Sequence, residues 1–318
     1  MLEDSVSKEI YMNKKFLISS HDKKLKLSVY LEGPDRESEI KAVIQFSHGM
    51  SEHKERYLDF IHFLSRNGYL CVIHDHRGHG DSVNSKRDYG YFYDETGTEI
   101  VKDLHKITRW IKSRYPDKDI YMFAHSMGTL AARIYLQSYD SEISKLVLCG
   151  PPCYNIGAYP GYRIAKFMTA IYGPHHRSTL IQKLAIDGYN KKCHTHMKNG
   201  WINSDTGEVE KYNNDSKCGF VFTLNGFMNL FSMVKKCFRK NRYQLKRKEL
   251  PILMIAGSDD PVIGGEDNFK KEAYFLLDLG YENLWYILYP HLRHELLNER
   301  RHEKIYKDVL GFYKRQFR

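Results

Sequence analysis

A serine hydroxyl becomes a nucleophile at neutral pH only when a general base stands within hydrogen-bond reach. The stretch Ala124-His125-Ser126-Met127-Gly128 offers such a serine. An apolar run, Ile120 to Ala124, leads into it, and the small, helix-forming Leu130-Ala131-Ala132 follows. A strand, a sharp turn with serine at its apex and a helix lift the hydroxyl clear of the backbone, and small residues two positions to either side let strand and helix pass closely. Gly128 meets that demand, and Ala124 misses it by one methyl group. The base is expected late in the chain, where Tyr289-Pro290-His291-Leu292-Arg293-His294-Glu295 follows another apolar run. His294, where loop gives way to helix, is the expected base, with His291 its rival one proline beyond the strand. A carboxylate has to fix the tautomer of that imidazole and stabilise the imidazolium. Gly257-Ser258-Asp259-Asp260-Pro261 supplies two. Asp260, before the proline, is expected to serve, and Asp259 to be a turn or capping residue.

Acyl transfer also needs two donors for the oxyanion of the tetrahedral intermediate. The backbone N–H of Met127 opens the helix after Ser126, where the helix dipole favours negative charge. The second donor is expected from Ser47-His48-Gly49-Met50-Ser51-Glu52-His53, the loop after the run Ala42 to Phe46. Gly49 lets the backbone turn its amides inward, which makes Met50 N–H the candidate and leaves His48 a structural loop histidine.

Short apolar runs alternate with longer periodic segments, the pattern of a parallel sheet covered by helices. The runs are Ala42 to Phe46, Leu70 to Ile73, Ile120 to Ala124, Leu146 to Cys149, Ile252 to Ala256 and Leu284 to Tyr289. Lys14 to Ser19 and Lys24 to Leu31 alternate more and predict antiparallel edge strands. Helices are expected over Tyr57 to Asn67, Gly97 to Arg114, Met127 to Ser138, Phe269 to Leu279 and Glu295 to Lys314. Pro151-Pro152 closes one strand and Pro251 opens the next, too wide a gap for an ordinary connection. The expected organisation is therefore an α/β core over residues 1–150 and 251–318, mostly parallel with helices on both faces, and an inserted helical cap over 151–250. Helices are expected in that cap at Ile164 to Ile171 and Leu224 to Phe238, and a loop from Lys191 to Lys217. Phe167, Met168, Ile171, Phe227, Leu230 and Phe231 are candidates to line an acyl pocket, although their spacing suits packing on the sheet equally well.

With 42% apolar and 28% charged residues among 318, the chain is neither disordered nor fibrous. Its net charge of +10 is uneven: residues 151–250 carry +11, with eight cations from Lys235 to Lys248, and the rest of the chain −1. No nucleic-acid-binding motif accompanies this basic third, so nucleic acid is not an expected partner. A solvated face, or contact with an anionic membrane or phosphate-bearing headgroup, are the remaining readings. Six scattered cysteines form no disulfide framework and read as reduced thiols. No run approaches a membrane span, and the acidic opening lacks a secretory signal, which predicts a cytoplasmic protein, at most peripheral to a membrane. His74, His76, His79 and Asp81, and separately Cys193, His194, His196 and Cys218, contain metal-ligand types, but neither spacing matches a known site and no metal is expected.

The order Ser126, Asp260, His294, each beyond a strand end, is the order of the α/β-hydrolases. His48-Gly49-Met50-Ser51-Glu52-His53, Asp75-His76-Arg77-Gly78-His79-Gly80-Asp81-Ser82 and His125-Ser126-Met127-Gly128 together resemble the monoacylglycerol lipase and lysophospholipase branch of that superfamily, also labelled serine aminopeptidase-like. Asp260-Pro261-Val262 and Arg293-His294-Glu295-Leu296-Leu297-Asn298-Glu299 are similar to its acid and base motifs. The resemblance runs from about Lys41 to Cys149 and from Pro251 to the end, and is loose over the cap. It implies a cofactor-free serine hydrolase cleaving a monoacyl lipid or similar small ester. A serine aminopeptidase or a thioesterase would use the same three residues, and a non-catalytic module would use only the basic cap.

Overall fold

The computed structural model describes residues 14–317. The opening Met1 to Ile10, read above for a signal, lies outside them. Eight strands form one sheet in the order β1-β2-β4-β3-β5-β6-β7-β8. The apolar runs become β3 (Ala42–Ser47), β4 (Tyr69–His74), β5 (Ile120–His125), β6 (Lys145–Cys149), β7 (Ile252–Gly257) and β8 (Leu284–Tyr289). These six pair in parallel, and β3 to β7 bury every residue because helices cover both faces. β1 (Lys14–Ser19) is the antiparallel edge strand expected. β2 (Lys26–Glu32) is not an edge: it pairs with both β1 and β4 and is buried after Lys26.

Helices α1 (Leu58–Ser65) and α10 (His302–Lys314) cover one face; α2 (Glu99–Arg114), α3 (Met127–Tyr139) and α9 (Glu266–Leu279) cover the other. In α2, Ile100, Leu104, Ile107 and Ile111 recur at helical spacing and are all buried, each contributing about 1.5–3 kcal/mol. The helix expected over Glu295 to Lys314 is divided. A 3-10 turn at Leu296–Asn298 precedes α10, because the Glu299 carboxylate accepts the N–H groups of Arg293 (2.8 Å) and Ser204 (3.0 Å) and holds the chain extended between them.

Between β6 and β7 lie α4 (Ala158–Tyr172), α5 (Thr179–Gln182), α6 (Gly188–Lys192), α7 (Thr206–Asn214) and α8 (Leu224–Cys237). α4 lies directly on α8, an approach permitted by Gly161, where a Cβ would stand 3.0 Å from the Phe231 ring. The stretch Lys191 to Lys217 is not all loop: Asp205 caps α7 by accepting from Gly207 N–H (2.9 Å), and Val209 and Tyr212 are buried beneath it. Of the cation cluster from Lys235 to Lys248, Arg239, Lys240, Arg242, Lys246 and Lys248 are exposed, and several members are tied to backbone carbonyls or a carboxylate outside the inserted stretch. Lys236 donates to Thr96 O (2.7 Å), Arg247 to Ile143 O (3.0 Å) and Lys246 to Ser138 O (3.3 Å), and Lys240 pairs with Asp278.

The register sets the site. Ser47 of β3 pairs with Ala124 of β5, His125 with Cys149 of β6, and Gly257 of β7 with Tyr289 of β8. The loops after these strands therefore leave the same edge of the sheet side by side, where an open parallel sheet places its ligands.

Candidate active site

Ser126 occupies the turn between β5 and α3 with φ +51°, a conformation that costs a residue with a side chain about 1–3 kcal/mol. Its surroundings enforce it: Ser126 N–H donates to Cys149 O (2.9 Å), and a Cβ on Gly128 would lie 2.1 Å from Ser47 O. The missing glycine at 124 is harmless, since the Ala124 methyl packs wholly inside the core.

Ser126 Oγ lies 2.7 Å from His294 Nε2, and His294 Nδ1 lies 2.8 Å from Asp260 Oδ2. The second Asp260 oxygen accepts Val262 N–H at 2.8 Å. With a carboxylate on Nδ1, that nitrogen carries the proton and Nε2 is left as acceptor for the serine hydroxyl. Asp259 is exposed and accepts from the Ser258 hydroxyl (2.9 Å). The rival His291 is exposed in a turn at φ +60°. Gly150 makes room for the pair, as a Cβ there would come within 3.0 Å of His294 Nδ1. Burial opposes the charged form of His294, but the Asp260 carboxylate, helped by Glu295 and Glu52, outweighs it and raises the pKa above the ordinary histidine value. A base must be neutral to accept a proton, so kcat/KM is expected to fall as pH drops through a midpoint above 6.5. A pH profile checks this, and in Asp260→Asn the midpoint should move down.

Met50 and Met127 both line the cavity above Ser126. As the first residue of α3, Met127 has an N–H without an acceptor inside its helix. The Gly49–Met50 peptide is held from behind. His76 N–H donates to His48 Nε2 (2.8 Å), which leaves Nδ1–H to donate to Gly49 O (2.8 Å). Carbonyl and amide of one trans peptide point in opposite directions, so fixing Gly49 O fixes Met50 N–H. Burial first, then the charge of neighbouring His79, depresses the His48 pKa and keeps the ring neutral. The Glu52 carboxylate takes Gly49 N–H, and Tyr57 Oη at 2.7 Å. Burial, then the charge of Glu295, pushes Glu52 up to about 7.

The cavity holds about 370 Å³, within the range of small-molecule sites. Of the residues expected to line it, Leu230 and Phe231 do. The other four require correction. Phe227 is fully buried in the core and Met168 packs against that core, whereas Phe167 and Ile171 are 69% and 58% exposed. The small Ala158, Gly161 and Ala165 lie on the inward side of α4, which turns Phe167 and Ile171 outward. Sequence reading gave no role to Glu52, Tyr189, Trp201 or Tyr212, all on the cavity wall. The Trp201 ring lies 5.2 Å from His294 and 5.0 Å from Tyr189.

Of the metal-ligand types noted in the sequence, His76 Nε2 lies 3.0 Å from Ser47 Oγ and His79 Nδ1 donates to Arg77 O (3.0 Å), while neither ring nitrogen of buried His74 has a hydrogen-bond partner among the described residues. The His48 ring lies tilted against His76 (4.3 Å between centroids) and edge-on to His79 (5.2 Å), all buried, and Asp81 pairs with Lys54 and Lys217. Cys218 stands near His53 and Asp215 rather than with Cys193, and both His53 nitrogens are taken, by Glu55 (2.7 Å) and Asp215 (2.8 Å). Glu55, Asp75 and Asp81 surround the Lys54 ammonium at 3.1, 2.6 and 3.3 Å. Among the described residues, no helix is long and apolar enough to cross a membrane.

The family described as serine aminopeptidase, S33, matches residues 38–301. The monoglyceride lipase of Mus musculus is 27% identical over 278 residues, 83% of this chain and 80% of that protein. The probable lysophospholipase L2 of Haemophilus influenzae is 24% identical over 285 residues, 85% and 80% respectively. Among solved structures, a thermostable carboxyl esterase from Bacillus coagulans superimposes with a TM-score of 0.88 at 23% identity, covering 96% of this chain and 98% of the other, a likeness of fold. The chain belongs to the serine aminopeptidase S33 family of hydrolase enzymes, in the α/β-hydrolase branch it shares with monoacylglycerol lipases and lysophospholipases.

Proposed function

We propose that the protein hydrolyses carboxylic esters of monoacyl lipids, monoacylglycerol or lysophospholipid, through an acyl-enzyme on Ser126. The observation that carries this is the unbroken line Ser126 Oγ, His294, Asp260 at 2.7 and 2.8 Å on the floor of a largely apolar cavity. His294 takes the proton of Ser126 as Oγ bonds to the ester carbonyl carbon. Met50 and Met127 amides receive the oxyanion, and the imidazolium returns the proton to the departing alkoxide. Water, deprotonated by the same imidazole, then releases the fatty acid and restores Ser126. No step needs a cofactor or metal ion.

Residues 151–250 act as the cap over this site. Nine of the thirteen large hydrophobics exposed among the described residues fall between Tyr154 and Leu184, and two of these, Ile164 and Leu184, also line the cavity. An apolar patch at the cavity mouth, flanked by exposed Arg163, Lys166 and Lys183, suits peripheral contact with an anionic lipid surface. Lipid substrate then enters from the membrane without crossing water. The test is turnover of p-nitrophenyl esters, thioesters, peptides, monoacylglycerols and lysophospholipids, with and without anionic vesicles. Monoacyl lipids are expected to be turned over fastest, faster still on vesicles and less so in high salt. Preference for peptide or thioester would overturn the ester assignment, and indifference to vesicles the membrane contact.

A further inference from the structure

Ser51 follows the candidate oxyanion donor and is held by residues of the cap. Its φ is +54°, in the left-handed region that side chains disfavour. Its carbonyl accepts two hydrogen bonds, from Gly219 N–H (2.9 Å) and from Tyr212 Oη (2.9 Å), and its hydroxyl donates to Phe220 O (2.8 Å). Tyr212 is itself fixed: it lies in α7, is buried, and has the Arg56 guanidinium 5.0 Å over its ring. Two further ties fasten the same stretch to the core, His53 Nε2 to Asp215 (2.8 Å) and Lys217 to Asp81. On the core side, His48 and Glu52 fasten Gly49. The Met50 peptide is thus clamped between a core half and a cap half.

We propose that Tyr212 and Ser51 are positioning residues of the oxyanion hole, through which cap residues 212–220 hold the Met50 amide in its working orientation. The inference rests on the serine-hydrolase reading and adds to it that the cap is part of the machinery that stabilises the transition state, besides roofing the substrate. An amide that is preorganised toward the developing charge stabilises it without reorganising at the moment of reaction. Cutting a tie on one side lets the Met50 peptide swing, which weakens binding of the oxyanion and leaves binding of the uncharged substrate alone.

Tyr212→Phe keeps the ring and removes the hydroxyl. It is expected to lower kcat about tenfold, a fraction of the 10²–10³ that follows loss of a whole oxyanion donor, with KM unchanged. Because Tyr212 also lines the cavity, two inhibitors with the same alkyl chain separate the roles. A trifluoromethyl ketone forms a bond between its carbonyl carbon and Ser126 Oγ, passes the serine proton to His294 and so carries an oxyanion. An alkyl methyl ether carries none. Affinity for the ketone should fall by the same factor as kcat, and affinity for the ether should stay within twofold. Equal weakening of both would make Tyr212 a wall of the pocket, and no change in either would remove it from the oxyanion hole; each outcome overturns the proposal. Ser51→Ala, which cuts the tie to Phe220 O, tests the same clamp should Tyr212→Phe fail to fold. Loss of hydrolysis in Ser126→Ala together with normal ketone affinity in Tyr212→Phe refutes this inference alone, whereas persistent hydrolysis in Ser126→Ala refutes the reading beneath it.

Discussion

Ser126→Ala is expected to lower kcat for a p-nitrophenyl ester by about six orders of magnitude while leaving the fold intact. The alanine inherits the same strained φ and the same backbone bond from Ser126 N–H to Cys149 O, so stability should change little. What disappears is the oxygen that the structure places 2.7 Å from His294 Nε2. The residual rate should come from the amides of Met50 and Met127, which still bind the oxyanion when water attacks. Steady-state kinetics on the pure variant, with circular dichroism to check folding, measure both halves of this expectation.

The second large effect belongs to Asp260. Asp260→Asn keeps the shape of the side chain and the bond to Val262 N–H, but an amide no longer stabilises the imidazolium and permits the wrong tautomer of His294. A loss of about 10⁴ in kcat is expected. Asp259→Asn, one residue away, should cost less than a factor of two, because Asp259 is exposed and its side chain accepts from the neighbouring Ser258 hydroxyl rather than from His294. The contrast between adjacent carboxylates is the informative measurement. A large loss in Asp259→Asn with a small one in Asp260→Asn would move the acid by one position.

The parts of the site that lie within a few residues of a strand end were legible in the sequence. Ser126 and Asp260 each follow an apolar run that folds as a fully buried strand and His294 follows the half-buried edge strand β8, and local chemistry favoured Asp260 over Asp259 and His294 over His291. The glycine pattern was legible too, and Ala124 fits because its methyl is fully buried in the core, in the same cluster as Met127, Leu130 and Ala131 of α3. Orientation within the cap was not legible. α4 is apolar on more than one side, and periodicity alone does not reveal that its small residues, Ala158 and Ala165, face inward while Phe167 and Ile171 face out. α7 was hidden in an Asn/Gly-rich stretch, where a capping Asp205 and the pair Val209 and Tyr212 were the available signs. The bond from Tyr212 to Ser51 joins positions 161 residues apart in the chain, so no local pattern announces it. Charge was legible as a total and as a largely solvated cluster, with Arg239, Lys240, Arg242, Lys246 and Lys248 exposed, but not in its partners: Lys236, Lys246 and Arg247 donate to backbone carbonyls far away in the chain.

The proposed chemistry requires that one particular alcohol be the atom acylated. A fluorophosphonate probe forms a phosphorus–oxygen bond to an activated serine and expels fluoride, and peptide mass spectrometry then locates the adduct. A single adduct is expected on the peptide carrying Ser126, absent from Ser126→Ala and formed more slowly below the midpoint of His294. An adduct on any other residue, or undiminished labelling of Ser126→Ala, would contradict it.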